Sequence, residues 1–157
     1  MYRTKFSNKY GELVICHDGG RYWRKDIFPQ YKASRSKAQK ASSVDWDRIH
    51  EIMNIIYEEV LVNFPYKNIK IRTLEADDII AILCEKYHEE ENIVIVSNDK
   101  DFQQLQRYSS VDQYSPIKKK FIVCEDPESF LIDHILKGDS SDGIPNILSD
   151  DDVFCLL

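Results

Sequence analysis

The sequence predicts an α/β fold, with a mostly parallel sheet flanked by helices, because apolar strands alternate along the chain with amphipathic helices. Two strands are recognisable as short, largely apolar runs: Glu12–His17, which is followed by two glycines, and Asn92–Ser97, which is rich in β-branched residues. Between them lie two stretches whose apolar residues recur every three or four positions, the period of an α-helix. A length of 157 residues suits one domain with a single core.

The first third of the chain is predicted to contain one strand and one strong helix. Met1–Gly11 is polar and has no period, so we expect a frayed start before the strand Glu12–His17. Residues 21–44, interrupted by Pro29, are typical of a mobile helical loop. Asp45 is placed to cap the helix that follows. The apolar residues that give this helix its period are Trp46, Ile49, Met53, Ile56 and Val60.

The rest of the chain repeats the alternation of strand and helix. Pro65 ends the long helix, Ile69 and Ile71 mark a brief strand, and an apolar stripe then predicts a helix over 75–88. After the second apolar strand, the predicted elements are a short helix at Phe102 and Leu105, two strands at Val111–Tyr114 and Phe121–Cys124, and a helix from Asp126 to Gly138.

Composition indicates a globular protein that works in the cytoplasm. The chain is 43% hydrophobic and 31% charged, as is usual for a folded domain. No apolar run approaches the ~20 residues that a membrane helix requires, so we expect no membrane partner. Four scattered cysteines without a C-x-x-C pair favour free thiols in a reducing compartment over disulfides or a zinc site.

Basic residues are concentrated in one segment although the net charge of the chain is −6. Residues 21–40 carry a local charge of +6 with Asp26 as the only acid, which leaves the remainder at −12. Together with Trp23 and Tyr31, these cations favour contact with nucleic acid, although a charge run alone usually forms a solvated helix surface. The basic residues are Arg21, Arg24, Lys25, Lys32, Arg35, Lys37 and Lys40.

Seven carboxylates follow predicted strands, open a predicted helix, or lie in the loop 138–143. The carboxyl ends of parallel strands meet at one edge of a sheet, so acids placed there converge. Converging acids repel one another unless a hard divalent cation such as Mg²⁺ neutralises them. The sequence therefore predicts metal-dependent chemistry on phosphate. The seven acids are Asp18, Glu75, Asp77, Asp99, Asp101, Asp139 and Asp142.

Four of the seven acids also have a simpler structural explanation. Asp101 is placed to cap a helix that begins at Phe102, and Asp18 before two glycines suits a turn. Acids at the start of the helix 75–88 complement its dipole. In a regular helix Glu75 and Asp77 point in different directions, so both reach one site only if the first turn is irregular. The prediction of a metal site therefore depends on the joint placement of the acids.

Five motifs occur in order along the chain: Tyr22–Asp26, Tyr31–Arg35, Leu74–Asp78, Ser97–Phe102 and Leu136–Pro145. Together they resemble the structure-specific 5′ nuclease family, which contains flap endonucleases, the 5′ nuclease domain of bacterial DNA polymerase I and phage 5′–3′ exonucleases. The branch whose motifs match most fully is the ribonuclease H of T-even-type phages. The resemblance runs from about Ile15 to Asn146.

The resemblance implies a fold and a set of functional residues. It implies a partial PIN-like α/β domain over 1–136, with a helical arch segment at about 21–45, and the start of a helix-hairpin-helix element over 137–157. Metal ligands are implied at Asp18, Glu75, Asp77, Asp99 and Asp101, and at a second site at Asp139 and Asp142. Catalytic roles are implied for Asp18, Asp77, Asp99, Arg24 and Lys32. Nucleic-acid contacts are implied for Arg21, Arg24, Lys25, Tyr31, Lys32 and Arg35.

The implied activity is that of a hydrolase, a Mg²⁺-dependent 5′–3′ exonuclease or flap endonuclease of ribonuclease H type. Two Mg²⁺ ions, or Mn²⁺ in their place, would support cleavage of an RNA–DNA hybrid, a flap or a nicked DNA duplex. Implied partners are a replication clamp or single-strand-binding protein, and the implied location of a phage protein is the cytoplasm of its host.

The family pattern also contains parts for which this sequence has no counterpart. It begins with a further strand ending in aspartate and continues into a helical region that binds duplex, so we expect a fragment or split half that is poorly active alone and is complemented by an N-terminal polypeptide. Two alternatives stay open: a nucleic-acid-binding module without catalysis, and a PIN-type ribonuclease that acts on single strands. A phosphatase that acts on small molecules is disfavoured, because such an enzyme would not need the basic segment 21–40.

Overall fold

The computed structural model describes residues 2–150, which form six α-helices, one 3₁₀ helix and five strands. The helices are α1 Tyr2–Tyr10, α2 Arg24–Ile27, α3 Ala33–Ala41, α4 Trp46–Asn63, α5 Ala76–Tyr87 and α6 Pro127–Lys137, and the 3₁₀ helix is Lys100–Arg107. The strands are β1 Val14–His17, β2 Lys67–Lys70, β3 Ile93–Val96, β4 Val111–Ser115 and β5 Lys120–Ile122.

All five strands belong to one of two compact units, which comprises the chain through Arg21 and the segment Lys67–Asp133. Strand β1 pairs with β2 in parallel, and β3 pairs in parallel with β4, to which β5 adds in antiparallel register. The predicted α/β fold with mostly parallel strands is therefore confirmed. Parallel pairing places the carboxyl ends of β1 and β2 side by side, and those of β3 and β4 likewise.

The core of this unit lies where α5 and the 3₁₀ helix cover β3 and β4. Cys84, Ile95, Phe102, Leu105 and Val111 form one buried cluster. The strand β3 is a run of four β-branched residues, which pack well on a pleated surface, and α5 presents its apolar stripe to them. Helix α5 also packs on β1, so it links the two pairs of parallel strands.

Helix α1 corrects the expected frayed start of the chain. Phe6 is buried, and its ring lies 5.1 Å from the ring of Tyr114 and 6.1 Å from that of Phe121. Such edge-to-face aromatic pairs stabilise packing beyond the area they bury. Tyr2 and Tyr10 flank Phe6 at four-residue steps and contact its ring, but Phe6 is the buried residue of this otherwise polar helix, which is why periodicity did not reveal it.

The second unit comprises Tyr22–Tyr66 and the chain from His134 onward. The predicted cap of α4 is confirmed, since the Asp45 carboxylate accepts a hydrogen bond from the Arg48 N–H at 2.9 Å. The predicted helical stretch is also confirmed, but no described side chain of α4 is buried. An apolar stripe tells which face a helix offers for packing and not whether another element covers it.

Among residues 2–150, none of the helices combines the length and the apolar character that crossing a bilayer requires.

Candidate functional site

Asp18 contacts the start of α5 across 58 positions of sequence. Its Oδ1 accepts a hydrogen bond from the Ala76 N–H at 2.8 Å. The neighbouring Gly19 N–H donates to the Leu74 carbonyl at 2.9 Å, and the pairing of β1 with β2 brings these segments together. Asp18 therefore contacts the residue that follows Glu75, another of the predicted acids.

Gly19 permits this approach because it has no side chain. A Cβ at this position would lie 1.9 Å from the Ile71 carbonyl oxygen and 2.6 Å from the carbonyl group of Arg72, distances that no real Cβ contact reaches. Glycine is therefore required by the closeness of the two backbones. The apparent turn signal after Asp18 marks a contact between neighbouring strand ends.

Glu75 is the N-cap of α5 and lies before the first turn of that helix. Its backbone is extended, with φ −82° and ψ 159°, and only 3% of the residue is exposed. Asp78 completes a capping box, accepting a hydrogen bond from the Glu75 N–H at 3.0 Å. Asp77 lies in the first turn and is exposed. Glu75 lies outside the regular helix, so the helical directions that separate it from Asp77 do not apply to it.

Asp99 and Asp101 follow the carboxyl end of β3 and are linked by one hydrogen bond. Asp99 caps the 3₁₀ helix, and its Oδ1 accepts from the Asp101 N–H at 3.0 Å. The helix begins at Lys100, so the alternative in which Asp101 caps a helix starting at Phe102 was wrong. Asp101 lies in the first turn, where its Oδ1 is buried.

Two buried polar side chains of β4, which motif analysis missed, contact the loop that carries Asp99. The Gln113 amide donates to the carbonyl oxygens of Ser97 and Asp99, and the Ser115 hydroxyl donates to the Asn98 side chain. Both side chains are fully buried. The available signal was the period of two in a buried strand, which places both polar residues on the face that also carries the core residue Val111.

Asp139 lies at the base of the loop 138–143 in the second unit. Its Oδ1 accepts hydrogen bonds from the Ser141 N–H at 2.8 Å and from the Ser141 hydroxyl at 2.6 Å. Its Oδ2 lies 3.7 Å from Nε2 of His134 in α6. Gly138 precedes it with φ +69°, a conformation that favours glycine and turns the chain after α6.

Asp142 is held by the basic segment. Its carboxylate lies 2.6 Å from Nη2 of Arg35 and 3.6 Å from Nζ of Lys32, and it accepts a hydrogen bond from the Tyr31 hydroxyl at 3.0 Å. The Lys32 N–H also donates to the Asp142 carbonyl at 2.7 Å. A predicted metal ligand therefore contacts three predicted nucleic-acid-binding residues, groups that sequence analysis had assigned to separate roles.

Aromatic rings lie among the remaining cations of the basic segment. The Arg24 guanidinium lies 4.8 Å from the ring of Trp23 and 5.8 Å from that of Tyr31. Lys25 Nζ lies 5.8 Å from the ring of Tyr22. Stacked cations and aromatic faces are the groups that contact phosphates and bases of single strands.

The acids of the strand-bearing unit provide the carboxylate oxygens that a hard divalent cation prefers as ligands. Asp18 accepts a hydrogen bond from the residue that follows Glu75, and Asp99 accepts one from the Asp101 N–H after β3. Their oxygen ligands suit Mg²⁺ or Mn²⁺, and none of them is a thiolate or imidazole that would favour zinc. The residues present therefore fit such an ion.

Comparison with known protein families identifies a match over most of the chain. The family model described as the 5′-3′ exonuclease, N-terminal resolvase-like domain, matches residues 2–130. Ribonuclease H of Enterobacteria phage T4 is 36% identical over 143 residues, which are 88% of this chain and 47% of the relative. The flap endonuclease Xni of Shewanella sp. (strain MR-4) is 30% identical over 145 residues, 86% of this chain and 52% of the relative. The chain thus spans about half the length of the curated relatives that it matches.

Solved structures share the fold. The T5 D15 protein co-crystallized with metal ions superposes with a TM-score of 0.81 at 18% identity, covering 95% of this chain and 60% of that one. A bacteriophage T5 flap endonuclease in a pseudo-enzyme–product complex with DNA and metal ions gives 0.80 at 18% identity, covering 95% and 58%. This likeness confirms the predicted PIN-like α/β fold.

Proposed function

We propose that this chain, which belongs to the 5′-3′ exonuclease N-terminal resolvase-like domain family, is the part of a divalent-metal-dependent nuclease that cleaves at 5′ ends. Its substrates would be RNA–DNA hybrids and DNA duplexes with a flap or nick, as in primer removal in the cytoplasm of a phage host. The observation that carries the proposal is the hydrogen bond that brings Asp18 to the start of α5 beside Glu75.

The acids of the strand ends would hold Mg²⁺, with Mn²⁺ as a substitute. The proposed ligands are Asp18, Glu75, Asp77, Asp99 and Asp101, with Asp139 and Asp142 for a second ion. The chemistry that a pair of such ions supplies when bound is activation of a water and stabilisation of the attacking and leaving oxygens. The protein would contribute fixed carboxylates and no covalent nucleophile.

The basic segment would bind the substrate strand. Arg24 and Lys32 are proposed to contact the scissile phosphate and to stabilise the charge that develops on it. Both lie beside the Tyr31 ring, at 5.8 and 4.9 Å, which supports a shared contact with a phosphate and its base. Arg21, Lys25 and Arg35 would bind neighbouring phosphates in a salt-dependent manner.

Further partners are proposed from the family alone. A complementary N-terminal polypeptide would supply an additional strand with its aspartate, and a replication clamp or single-strand-binding protein would recruit the nuclease to its substrate. Whether cleavage requires these partners would determine if the chain acts alone or as part of an assembly.

A cleavage assay tests the proposal. We expect release of 5′ products from a labelled 5′-flap duplex and from an RNA–DNA hybrid in Mg²⁺, no cleavage in EDTA, and loss of cleavage in Asp99→Asn. Preferential cleavage of free single-stranded RNA would instead support a PIN-type ribonuclease.

A nucleic-acid-binding module is the second candidate. It is favoured by the contact of Asp142 with Lys32 and Arg35, since a carboxylate engaged with these cations is less accessible to a metal. Salt-sensitive binding of the flap duplex without cleavage, also in the presence of the complementary polypeptide, would support this function.

A further inference from the structure

We infer that Gln113 is a positioning residue for the Asp99–Asp101 pair, whose side-chain amide fixes the backbone from which both carboxylates project. The inference rests on the proposed function, because it gives Gln113 a part in binding the divalent ion without contact to it. It concerns a residue outside the acidic and basic motifs.

The side chain of Gln113 donates two hydrogen bonds to the loop after β3. Its side chain is completely buried, and Nε2 donates to the Asp99 carbonyl oxygen at 2.6 Å and to the Ser97 carbonyl oxygen at 3.2 Å. A primary amide has two N–H hydrogens, so one side chain serves both carbonyl groups. The two acceptors bracket the turn in which the chain leaves β3.

The composition of β4 indicates that this contact is more than filling of the core. Val111, on the same face of the strand, packs with Phe102 and Leu105 of the 3₁₀ helix. Two positions further along, the face becomes polar at Gln113, where the loop passes, and it remains polar at Ser115, which bonds to Asn98. An apolar residue in place of Gln113 would fill similar space but leave the Ser97 and Asp99 carbonyl groups without this donor.

Both peptide groups that flank Asp99 are fixed by this arrangement. Its carbonyl accepts from Gln113, and its N–H donates to the Ser97 hydroxyl at 3.1 Å. The Asp99 carboxylate then accepts from the Asp101 N–H, which sets the spacing of the two acids. Because like charges tend to separate, a backbone held in this way keeps both carboxylates in place for a cation.

Binding of Mn²⁺ alone to the full 157-residue chain, followed by electron paramagnetic resonance, tests the inference. We expect Gln113→Met, which has a similar shape and no donor, to lower the Mn²⁺ affinity by about tenfold or more, as is typical for groups that orient metal ligands. Val111→Ala is the matched control, since it weakens the core from the same strand face without touching the loop. It should keep the Mn²⁺ affinity within about twofold at a comparable loss of unfolding free energy.

Asp99→Asn separates failure of this inference from failure of the proposed function. If Asp99→Asn binds Mn²⁺ like the unmodified chain, the proposed metal site is wrong. If Asp99→Asn loses binding while Gln113→Met retains it, only the role of Gln113 is overturned, and equal losses in Gln113→Met and Val111→Ala overturn it as well. Should Gln113→Met not fold, Gln113→Asn decides, because its amide is one methylene too short: weakened binding supports the inference and unchanged binding overturns it.

Discussion

Gly19 lies where the chain leaves β1, and its missing side chain lets Asp18 reach the start of α5. The backbones of Gly19 and Ile71 are so close that a Cβ would stand 1.9 Å from a carbonyl oxygen. Gly20, the next residue, has φ +87° and open space around its Cα. The two glycines are therefore required for different reasons, the first steric and the second conformational.

Substituting each of the two glycines by alanine distinguishes the steric requirement at Gly19 from the conformational requirement at Gly20. We expect Gly19→Ala to lower the free energy of unfolding by about 3 kcal/mol or more, because the backbones must move apart. Gly20→Ala should lower it by about 1–2 kcal/mol, the strain of a left-handed conformation. Urea denaturation followed by circular dichroism measures both, and equal losses would contradict the close approach at Gly19.

The buried thiol of Cys84 makes the free energy of unfolding depend on pH in the alkaline range. Burial raises the pKa of its thiol to about 11 from an ordinary value of 9.0. Above pH 9 the unfolded chain therefore releases a proton that the folded chain keeps, so the stabilisation present at neutral pH is lost as the pH rises from 9 to 11.

We expect the free energy of unfolding to fall between pH 9 and 11 by about 2 kcal/mol more in the unmodified chain than in Cys84→Ala. Denaturation at a series of pH values measures this difference. Parallel pH profiles for the two chains would show that the thiol ionises as freely in the folded state as in the unfolded one.

Side chains with a motif could be predicted from the sequence, and those without one could not. The acids Asp18, Asp99 and Asp101 follow apolar strands, so the strand ends predict where they lie. No sequence pattern indicates the role of Gln113, because its hydrogen-bond partners are backbone carbonyl groups, which every sequence has. Hydrogen bonds to backbone depend on how the loop folds, and this is decided by tertiary packing.

At the scale of elements, the basic segment and the loop 138–143 form one electrostatic unit. Asp142 neutralises part of the charge of Arg35 and Lys32, with distances of 2.6 and 3.6 Å. Lys32 adopts φ +56°, an uncommon conformation for a non-glycine residue, and its N–H is held by the Asp142 carbonyl. If the basic segment binds nucleic acid as proposed, the loop would compete with an incoming phosphate for the same cations.

Removing that competition should strengthen binding of nucleic acid. In EDTA, we expect Asp142→Asn to raise the affinity for a single-stranded oligonucleotide by about threefold or more at low salt, because more positive charge becomes available. Asp47→Asn, an equal change of charge at an exposed position of α4, should change it by less than about twofold. Fluorescence anisotropy measures both, and a weaker affinity for Asp142→Asn would contradict the competition.

Helices and strands could be predicted from the sequence where their apolar residues form a run or recur at a regular spacing. The strands β1 and β3 are apolar runs, and α4 and α5 show helical stripes, so each lies at or near its predicted position. Helix α1 was missed because only Phe6 is buried in it. The exposed face of α4 could not be foreseen, since a periodic pattern carries no information about the packing partner.

At the scale of the whole molecule, the open edges of the sheets favour a complementary strand. Among the described residues, β1 pairs only with β2, and β3 pairs with a single neighbour, β4. Unpaired strand edges are sites where a further strand adds. The proposed N-terminal polypeptide with its aspartate would supply such a strand.

We expect that adding this polypeptide to the chain raises Mg²⁺-dependent cleavage of a 5′-flap duplex, because it provides a further carboxylate and a paired edge. The matched control is the same polypeptide with asparagine in place of its aspartate, which should bind without restoring cleavage. Absence of rescue, or equal rescue by the control, would contradict the proposed partner.

Asp18, Glu75 and Asp99 surround one bound divalent ion if the chain is a metal-dependent nuclease, and iron-directed cleavage of the polypeptide tests this most directly. Fe²⁺ with ascorbate and peroxide cuts the backbone next to the bound ion. We expect cuts in three separate segments, around Asp18, Glu75 and Asp99, all suppressed together by excess Mg²⁺. Cuts confined to one of these segments, or cuts that Mg²⁺ does not suppress, would contradict a shared metal site.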